Sequence, residues 1–478
     1  MKFDYQKLYI NGELADAQTN ERHEVICPAT DEVISEVAKA SPADAQIALE
    51  AAKEAFIGWS VLPLEERIAW LHKMRDAIAK NRKMLEETLM FESGKPYGEA
   101  EMELGVIIDS ITYFCDAMTK QTKDTIEDRE GDCNHEIRYE PLGVAVSYLP
   151  WNFPLETLSF KLAPALVAGC TLIVKPAPAT PLSTYLLGKL CHEINFPKGV
   201  FQILYGDNDV LPQALSSSKI PAILSAVGSC ATGRKILEQG NTSLKKYCFE
   251  LGGNAPAIIF DDASVDTAVD IISGFKFFNA GQVCIDPNRI FVHKTVFPEV
   301  EQGLINSCEN VKIGFGKESG ANMGPLTDKN AQARIHAWVE EAISMGAELV
   351  CGGDLSAVPE KGSYYPPTIL KGVTPDMMIY QGEIFGPVIS LIEFEDDNEV
   401  LEMANDTEAG LTSYIFTEND DRIDKFSRSL DFGEVMVNKA KWGDYLPHIG
   451  IKQSGMGCVG SPRVLKEFQR MKRVTSRM

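Results

Sequence analysis

One cysteine, Cys284, follows a helical pattern and a glycine, and it is our candidate nucleophile. Before it, apolar residues recur at helical spacing, which predicts an amphipathic helix from Val265 to Phe278. Gly281 then frees the backbone, so that the thiol would stand in a loop. Free cysteines are more often small, buried core residues. The catalytic interpretation therefore depends on the groups that accompany Cys284.

A carboxylate lies at the same predicted junction as this thiol. Glu250 opens the run Glu250-Leu251-Gly252-Gly253-Asn254, whose paired glycines interrupt the patterns on both sides. We place a boundary between two structural blocks at this run, so that Glu250 and Cys284 lie on either side of it. Active sites commonly form between domains. Taken alone, Glu250 is more typical of an exposed carboxylate at a strand end.

Alternating strands and helices around these residues predict a doubly wound α/β fold. From residue 142, buried apolar strands alternate with helices of roughly 10–15 residues, which is typical of βαβ units around a parallel sheet. A second block of the same kind begins at residue 255. The predicted strands are 142–149, 171–174, 200–204, 222–227, 255–260, 289–293, 388–394 and 411–416, and the predicted helices are 155–169, 181–194, 297–310 and 330–346.

Two of the predicted strand ends could bind a ligand, because ligands collect at the carboxyl ends of parallel strands. One carries Lys175, which could contact a ribose or a phosphate but could equally be solvated. The other is a glycine turn with Gly228, Ser229 and Gly233 that opens a helix, whose N-terminus could receive a pyrophosphate. A plain strand-to-helix turn is as good an interpretation, since the turn lacks the G-x-G-x-x-G fingerprint.

The N-terminal part is predicted to cover a core. Asn11-Gly12 predicts a short hairpin over residues 7–14. Ser41-Pro42 is typical of a helix start, and helical patterns continue over 63–91 and 97–118. The polar, acidic segment 119–134 fits either a disordered loop or a projecting hairpin.

The composition excludes several classes of function. The 478 residues carry a formal net charge of −22, which disfavours nucleic acid or an anionic membrane as the main partner. No apolar run reaches the length of a membrane span, and the charged N-terminus does not resemble a secretory signal, so we expect a cytoplasmic protein. The 11 cysteines form no C-x-x-C pair, so we expect neither a disulfide framework nor a metal site.

Five segments in order give the chain a resemblance to a known family. They are Pro150-Trp151-Asn152-Phe153-Pro154, Lys175-Pro176-Ala177, Glu250-Leu251-Gly252-Gly253, Gly281-Gln282-Val283-Cys284 and Glu383-Ile384-Phe385-Gly386-Pro387. Together they resemble the NAD(P)-dependent aldehyde dehydrogenase superfamily, and in particular its non-acylating members of the succinate-semialdehyde and lactaldehyde dehydrogenase type. The resemblance extends from Ile10 to the C-terminal tail.

The resemblance implies a role for each of the central residues. Cys284 would attack an aldehyde as a thiolate, and the Asn152 side-chain amide with the Cys284 backbone N–H would stabilise the oxyanion. Glu250 would activate the water that hydrolyses the resulting thioester. Lys161 and Glu467 align with a pair proposed to relay protons, although a structural ion pair is an equal alternative. Asn152 alone would more often be a turn residue before a proline.

The resemblance also implies a cofactor site, an assembly and a domain arrangement. NAD or NADP would contact Pro150, Trp151, Lys175, Ala177, Pro178, Gly228, Ser229, Gly233, Leu251, Glu383 and Phe385. A dinucleotide-binding domain would comprise 1–118 and 139–252, and a catalytic domain 253–455. A small β oligomerisation arm would comprise 119–138 and 456–478, and would pair subunits into a homodimer or homotetramer.

Departures from the family pattern concern specificity. Pro178 replaces a frequent glutamate that would repel a 2′-phosphate, so use of NADP stays open. Phe160 stands where succinate-semialdehyde enzymes often have an arginine. A usual Pro-Phe-Gly-Gly sequence reads Pro447-His448-Ile449-Gly450. Lys439, Lys441 and His448 could favour a short polar, hydroxylated or anionic aldehyde, but solvated surface charge is at least as good an interpretation.

Three alternative functions follow from the same residues. In a CoA-acylating dehydrogenase a thiol would resolve the thioester, which the presence of Glu250 disfavours. A catalytically silent binding protein on this scaffold is disfavoured by the joint presence of Asn152, Glu250 and Cys284. A cysteine hydrolase is disfavoured because no histidine lies in any motif near Cys284.

Overall fold

The computed structural model describes residues 2–121 and 124–478 of the chain. Twenty strands and 14 helices are found in these residues. The strands are β1 Leu8–Ile10, β2 Glu13–Ala15, β3 Arg22–Cys27, β4 Glu32–Ala38, β5 Asp124–Ile126, β6 Cys133–Pro141, β7 Val144–Tyr148, β8 Thr171–Lys175, β9 Phe201–Ile203, β10 Pro221–Gly228, β11 Lys246–Leu251, β12 Ala255–Ile259, β13 Pro287–His293, β14 Glu348–Cys351, β15 Thr368–Lys371, β16 Val388–Phe394, β17 Thr412–Phe416, β18 Glu434–Val437, β19 Gly455–Met456 and β20 Gln469–Arg477. The helices are α1 Pro42–Trp59, α2 Leu64–Lys80, α3 Arg82–Ser93, α4 Tyr97–Thr119, α5 Pro154–Ala168, α6 Leu182–Glu193, α7 Val210–Ser217, α8 Cys230–Gly240, α9 Val265–Phe277, α10 Phe297–Glu309, α11 Lys329–Ser344, α12 Met378–Gln381, α13 Asp397–Asn405 and α14 Asp420–Ser429.

The first sheet has eight strands in the order β19-β11-β10-β7-β8-β9-β1-β2. Its central strands are parallel, and their register aligns their carboxyl ends: Tyr148 lies opposite Lys175, and Val227 lies opposite Glu250. Every residue of β7 and β8 is buried and most are apolar, as expected for parallel strands that are covered on both sides. This alignment brings the two predicted ligand-binding strand ends to one edge.

The second sheet has seven strands in the order β14-β15-β16-β13-β12-β17-β18. The chain passes from the first sheet to the second between β11 and β12, at the glycine run where the sequence predicts a boundary. It returns at β19, which pairs antiparallel with the end of β11, so that Gly455 lies opposite Glu250. A separate hydrophobic cluster lies on each face of the second sheet.

A small third sheet has the strand order β20-β6-β5. The long antiparallel pair of β6 and β20 runs from Pro141 opposite Gln469 to Cys133 opposite Arg477. The segment 119–134 therefore contributes a projecting β element, as one of its two interpretations predicts, while Thr122 and Lys123 lie outside the described residues. The proposed domain limits and the oligomeric role of this sheet stay predictions.

Local signals explain most of the observed boundaries. Ser41 caps α1 and forms a reciprocal capping box with Asp44. The helical pattern predicted over 63–91 is divided at Asn81, whose backbone (φ −103, ψ 17) leaves the helical region and separates α2 from α3. Within the described ranges, no helix combines the length and apolar character needed to cross a bilayer.

Candidate active site

A cleft of about 520 Å³ opens where the carboxyl ends of the first sheet face the second sheet. Cys284, Glu250 and Asn152 all line it. Ten of the 11 predicted cofactor residues line the same cleft: Pro150, Trp151, Lys175, Ala177, Pro178, Gly228, Ser229, Leu251, Glu383 and Phe385. Gly233 instead lies against Leu251, where an added Cβ would come within 2.5 Å of the leucine Cδ1.

The loop that carries Cys284 is held in a special backbone conformation. After α9, three successive residues have positive φ: Asn279 (47°), Ala280 (54°) and Gly281 (71°). At Gly281 a Cβ would also lie 2.4 Å from the Gly386 carbonyl oxygen, so only glycine fits. The loop therefore positions the thiol through the backbone.

Two contacts fix the far side of this loop. The Tyr414 hydroxyl donates to the Ile285 carbonyl oxygen at 2.7 Å. Lys276 and Asp286 form a buried ion pair at 2.5 Å, which joins the end of α9 to the residues after the cysteine. Both contacts lie within the second sheet and its helices, so Cys284 is carried by that half of the molecule.

Glu250 reaches the same thiol from the first sheet. The Cys284 Sγ donates to Glu250 Oε1 at 3.0 Å, although the residues belong to different sheets. Burial and then the Glu250 charge raise the pKa of the Cys284 thiol well above its ordinary value. The thiol is therefore protonated in this arrangement, and its proton points at the carboxylate.

His448, which the sequence suggests only as a possible substrate contact, lies beside Glu250. Its Nε2 lies 3.0 Å from Glu250 Oε1, and its Nδ1 lies 2.5 Å from Glu434 Oε1. Only 2% of the residue is exposed, so His448 is not a solvated surface charge. It is also not a group at the solvent-facing entrance of the cleft. The Cys284, Glu250 and His448 ligand atoms all lie within 4.8 Å of one another.

This position corrects one argument from the sequence. A cysteine hydrolase is disfavoured there because no histidine lies in a motif near Cys284, but in space a histidine lies beside the thiol. The signal that could have found it is the replacement of the usual Phe by His448 in the Pro-His-Ile-Gly run. A polar residue that replaces an apolar one in a buried loop needs partners.

The histidine carries a proton on each ring nitrogen, because both nitrogens face carboxylates. Burial lowers the pKa of His448, but the Glu250 charge and hydrogen bonds to Cys284, Glu250 and Glu434 outweigh it and raise the pKa well above its ordinary value. Burial raises the pKa of Glu250, but the His448 charge and hydrogen bond lower it to about 2. Glu250 and His448 therefore form a buried ion pair.

Asn152 is held in place by a buried network behind the cleft. Its Nδ2 donates to the Gln282 main-chain carbonyl oxygen at 3.0 Å, and the main-chain carbonyl oxygen of Asn152 accepts from Lys95 Nζ at 2.8 Å. Lys95 also pairs with Glu103 Oε2 at 2.6 Å, and both side chains are fully buried. Glu103 Oε1 accepts from the Leu155 N–H at 2.8 Å, which ties α4 to the start of α5.

The cofactor side of the cleft combines a helix N-terminus with two ionisable groups, the buried Lys175 and the partly exposed Glu383. Ser229 caps α8 by accepting from the Thr232 N–H at 3.2 Å. Lys175 Nζ donates to Asn208 Oδ1 at 2.7 Å, and burial lowers the pKa of Lys175 to about 8. Burial raises the pKa of Glu383 to about 7, although its carboxylate accepts from the Gly253 N–H at 2.9 Å.

Aromatic and glycine contacts shape the rest of this side. Phe385 and Trp151 meet edge to face with their ring centroids 5.4 Å apart. At Gly252 an added Cβ would lie 2.5 Å from Glu383 Oε2, so the carboxylate can approach only because the side chain is absent. These residues suit a dinucleotide: a capped helix start for the phosphates, a lysine and a carboxylate for ribose hydroxyls, and aromatic faces for a ring.

Lys161 and Glu467 do not form an ion pair with each other in the described structure. Lys161 is 1% exposed, and its Nζ has no hydrogen-bond partner there. Glu467 instead pairs with Lys246 at 2.9 Å. The structural alternative for this pair is therefore not supported, and the relay role stays a prediction.

Comparisons with known proteins show the family to which the chain belongs. Residues 14–474 match the model of the aldehyde dehydrogenase family. The chain is 36% identical to glutarate-semialdehyde dehydrogenase of Pseudomonas putida, covering 98% of this chain and 97% of that protein. It is 34% identical to the NADP⁺-dependent succinate-semialdehyde dehydrogenase of Escherichia coli, covering 98% and 97%.

A solved structure gives the same answer for the fold. The crystal structure of lactaldehyde dehydrogenase from Escherichia coli superposes with a TM-score of 0.96 at 33% identity and covers 99% of both chains. The predicted α/β fold of this type is thereby confirmed. The chain belongs to the aldehyde dehydrogenase family and is an oxidoreductase that oxidises aldehydes with NAD(P)⁺.

Proposed function

We propose that Cys284, Glu250 and Asn152 carry out this oxidation in the roles that the family resemblance implies. The observation that carries the proposal is the 3.0 Å contact between the Cys284 thiol and Glu250 in a cleft that also contains Asn152. Glu250 accepts the thiol proton, and Cys284 Sγ bonds to the aldehyde carbon. Two donors, the Asn152 Nδ2 and the Cys284 N–H, stabilise the oxyanion that forms.

The second half-reaction uses the same carboxylate again. When bound, NAD(P)⁺ accepts the hydride that leaves the substrate carbon. Cys284 then holds the acyl group as a thioester, and Glu250 removes a proton from the water that attacks it. The carboxylic acid leaves, and the thiol regains a proton. Glu250 must release each proton that it accepts to solvent. Lys161 and Glu467 are the proposed relay for that proton.

We infer that NADP is accepted at least as readily as NAD. Pro178 lines the cleft in place of a glutamate, so no carboxylate at this position repels a 2′-phosphate. The residues that would hold the cofactor are Lys175, Ser229, Glu383 and Phe385. Initial rates with each cofactor at saturating aldehyde measure this preference directly, and at least tenfold faster turnover with NAD would contradict it.

The proposed substrate is a short polar, hydroxylated or anionic aldehyde. The named relatives act on glutarate semialdehyde, succinate semialdehyde and lactaldehyde, which are all short and carry a carboxylate or hydroxyl group. Phe160 packs edge to face on Trp442 with centroids 5.5 Å apart, so an aromatic pair occupies the position where an arginine is often found. This favours hydroxylated substrates within the class.

A panel of aldehydes tests the function and the substrate class together. We expect lactaldehyde and the two semialdehydes to be oxidised with kcat/KM at least tenfold higher than unsubstituted hexanal. The product is expected to be the free acid even when coenzyme A is present, because Glu250 can activate water. Formation of acyl-CoA instead would favour the acylating alternative.

The Cys284→Ala variant tests the assignment of the nucleophile. It should abolish NAD(P)H formation with every aldehyde and leave cofactor binding unchanged, as measured by quenching of tryptophan fluorescence. Cys248→Ala is a suitable control, because Cys248 lies on β11 near Glu250 but outside the cleft lining. Turnover by the Cys284 variant would refute the assigned nucleophile.

Location and assembly are the remaining parts of the proposal. We infer a cytoplasmic homodimer or homotetramer that forms through the sheet of β5, β6 and β20. Its exposed apolar side chains support this, since Ile126 is 53% and Met471 is 69% exposed.

A further inference from the structure

The sulfur of the nucleophile lies close to two other atoms that can bind a metal ion, a carboxylate oxygen and an imidazole nitrogen. Glu250 Oε1 lies 3.0 Å from both Cys284 Sγ and His448 Nε2, and all three atoms lie within 4.8 Å of one another. We propose that Cys284, Glu250 and His448 form a binding site for a thiophilic divalent cation of the Zn²⁺ class. Neither the family match nor the named relatives assign a metal to this chain.

The donor set and its spacing fit such a cation. Zn²⁺ binds cysteine sulfur at about 2.3 Å and histidine nitrogen or carboxylate oxygen at about 2.0–2.2 Å. Tetrahedral angles then separate the ligand atoms by roughly 3.3–3.7 Å. The two 3.0 Å contacts must therefore lengthen by about half an ångström when the cation binds. Cys284 and Glu250 line the cleft, so a water molecule from the cleft can take the fourth position.

A second layer of contacts already orients the histidine. Glu434 holds Nδ1 at 2.5 Å, and the same carboxylate accepts from the Ile449 N–H at 3.3 Å and the Thr412 hydroxyl at 3.1 Å. Histidines that bind zinc typically donate their other ring N–H to a carboxylate in this way, which fixes the ring orientation. Nε2 is thereby left as the nitrogen that faces Glu250 and Cys284.

The metal-binding forms of these side chains are the thiolate and the neutral imidazole, so binding of the cation releases protons and should tighten as the pH rises. The thiolate and the Glu250 carboxylate supply two negative charges, which balance the two positive charges of a divalent cation.

The site cannot be recognised from the spacing of its three ligands in the sequence. The three ligands come from β11, from the loop after α9 and from the loop after β18, and no two of them lie in one short motif. This is why the sequence predicts no metal. The sulfur that would bind the cation is also the proposed nucleophile, so we expect the cation to inhibit aldehyde oxidation reversibly. That consequence rests on the proposed function, whereas metal binding does not.

Cobalt binding tests the site without any catalysis. We would titrate the full-length, reduced protein with Co²⁺, whose bond to a thiolate gives a near-ultraviolet charge-transfer absorption. We expect a band that saturates at one equivalent, disappears on addition of Zn²⁺ and is absent from Cys284→Ser. Cys133→Ser is the control, because Asp128, Asp132 and Cys133 form the other three-residue cluster with ligand spacing in the described residues. That variant should keep the band.

Variants of His448 and Glu434 show whether the metal is bound by all three ligands or by the Cys284 thiol alone. Glu434→Gln should weaken Co²⁺ and Zn²⁺ binding by about 10–100-fold, as is usual for loss of an outer-layer partner. His448→Phe should weaken binding further. Unchanged cofactor binding shows that each variant is folded. The proposal is overturned if the wild-type protein gives no band at one equivalent, if Cys284→Ser keeps it, or if both other variants bind as tightly as the wild type.

Activity measurements then distinguish this proposal from the proposed function. Micromolar Zn²⁺ should inhibit aldehyde oxidation competitively with the aldehyde, and EDTA should restore it. If the cobalt band behaves as expected but no aldehyde is oxidised, the proposed function fails and the metal site stands. If aldehydes are oxidised and neither a band nor inhibition appears, the metal site fails alone.

Discussion

Glu250 has two hydrogen-bond donors on one oxygen, and they affect its chemistry in different ways. Cys284 offers the proton that the first half-reaction requires, while His448 supplies a positive charge that keeps the carboxylate ionised. A carboxylate with a pKa near 2 is fully available as a base, although a strong ion pair also makes it a weaker one. The water-activation step should therefore be sensitive to any change at this residue.

Replacement of Glu250 by glutamine should separate the two half-reactions. The amide preserves size but cannot accept a proton, so we expect steady-state turnover to fall by about 10²–10⁴-fold. Thioester hydrolysis should fall more than hydride transfer. Stopped-flow absorbance would then show a burst of NAD(P)H followed by very slow turnover. Equal loss of the burst and the steady state would indicate that Glu250 is needed mainly to deprotonate Cys284.

Glu383 predicts a pH dependence of cofactor binding. Its pKa of about 7 means that the carboxylate is protonated below that pH, and the neutral acid is a weaker acceptor for two ribose hydroxyls than the ionised form. Because the ionised form binds better, the Kd for NADP should rise by up to about tenfold per pH unit as the pH falls below 7. Fluorescence titrations between pH 5.5 and 8.5 would measure this.

Glu383→Gln provides the control for that dependence. An amide does not titrate, so the variant should bind NADP more weakly at high pH and show a nearly flat Kd across the same range. A slope that survives the substitution would assign the titration to another group, of which Lys175 with its lowered pKa is the first to test.

The residues of the site differ in how far the sequence could predict them. Cys284, Glu250 and Asn152 lie in recognisable segments, and strand ends of a parallel sheet meet at one edge, so their convergence could be expected. His448 depends on a long loop that returns from the second sheet, and no local pattern specifies where such a loop ends. Its partner Glu250 is 198 residues away in sequence and Glu434 is 14 residues away, and no motif links either to His448, so only the folded chain shows why a histidine is tolerated there.

At the scale of elements, the helices around α4 do more than cover a core. The sequence predicts them by their periodicity, and their positions agree closely with that prediction. What periodicity cannot show is that Lys95 and Glu103 point inward and hold the loop of Asn152. Glu103 is a polar residue on the buried face of α4, and Lys95 lies in the loop before that helix, yet together they position the loop that lines the cleft.

Removal of one partner of this buried pair should be strongly destabilising. Lys95→Met leaves the Glu103 carboxylate buried without its cation, and we expect a loss of about 3–5 kcal/mol in the free energy of unfolding. The Asn152 loop should also lose order, which lowers kcat more than it affects the KM for cofactor. Urea denaturation followed by circular dichroism measures the first effect, and steady-state kinetics measures the second.

An exposed lysine gives the matched comparison for that variant. Lys53 is 64% exposed and pairs with Glu50 across one helical turn, so Lys53→Met should change stability by less than about 1 kcal/mol. If the two variants were equally stable, the buried pair would have no structural importance for the Asn152 loop.

The described residues form two large sheets, the three-stranded sheet of β5, β6 and β20, and a two-stranded sheet of β3 and β4, and we propose the three-stranded sheet as the place of subunit contact. β20 and β5 form its two edges, whose backbone groups are available for pairing with another chain. Composition alone does not predict this, because segment 119–134 fits a disordered loop equally well. β6 pairs with β20, which lies more than 300 residues later in the chain. The sequence of segment 119–134 alone cannot show this pairing.

A charge on this sheet should weaken the assembly. Met471 on β20 is 69% exposed, and Met471→Asp would place a carboxylate in any contact that buries it. We expect the mass measured by light scattering after size-exclusion chromatography to fall from a dimer or tetramer toward a monomer. Met345→Asp, at the exposed end of α11, should leave the mass unchanged. Identical masses for all three proteins would move the interface elsewhere.

His448 touches one carboxylate on β11 of the first sheet and another on β18 of the second. The imidazolium therefore connects the first sheet to the second, in addition to lying beside the nucleophile. The backbone of His448 also pairs with Val459, which belongs to the hydrophobic core of the first sheet. Separation of the two sheets at this point would therefore part the imidazolium from Glu250 or from Glu434 and leave one of these acids without its counter-ion. Widening of the entrance and the ionisation of the buried carboxylates are thus coupled, and both acids keep a counter-ion only while the sheets are together.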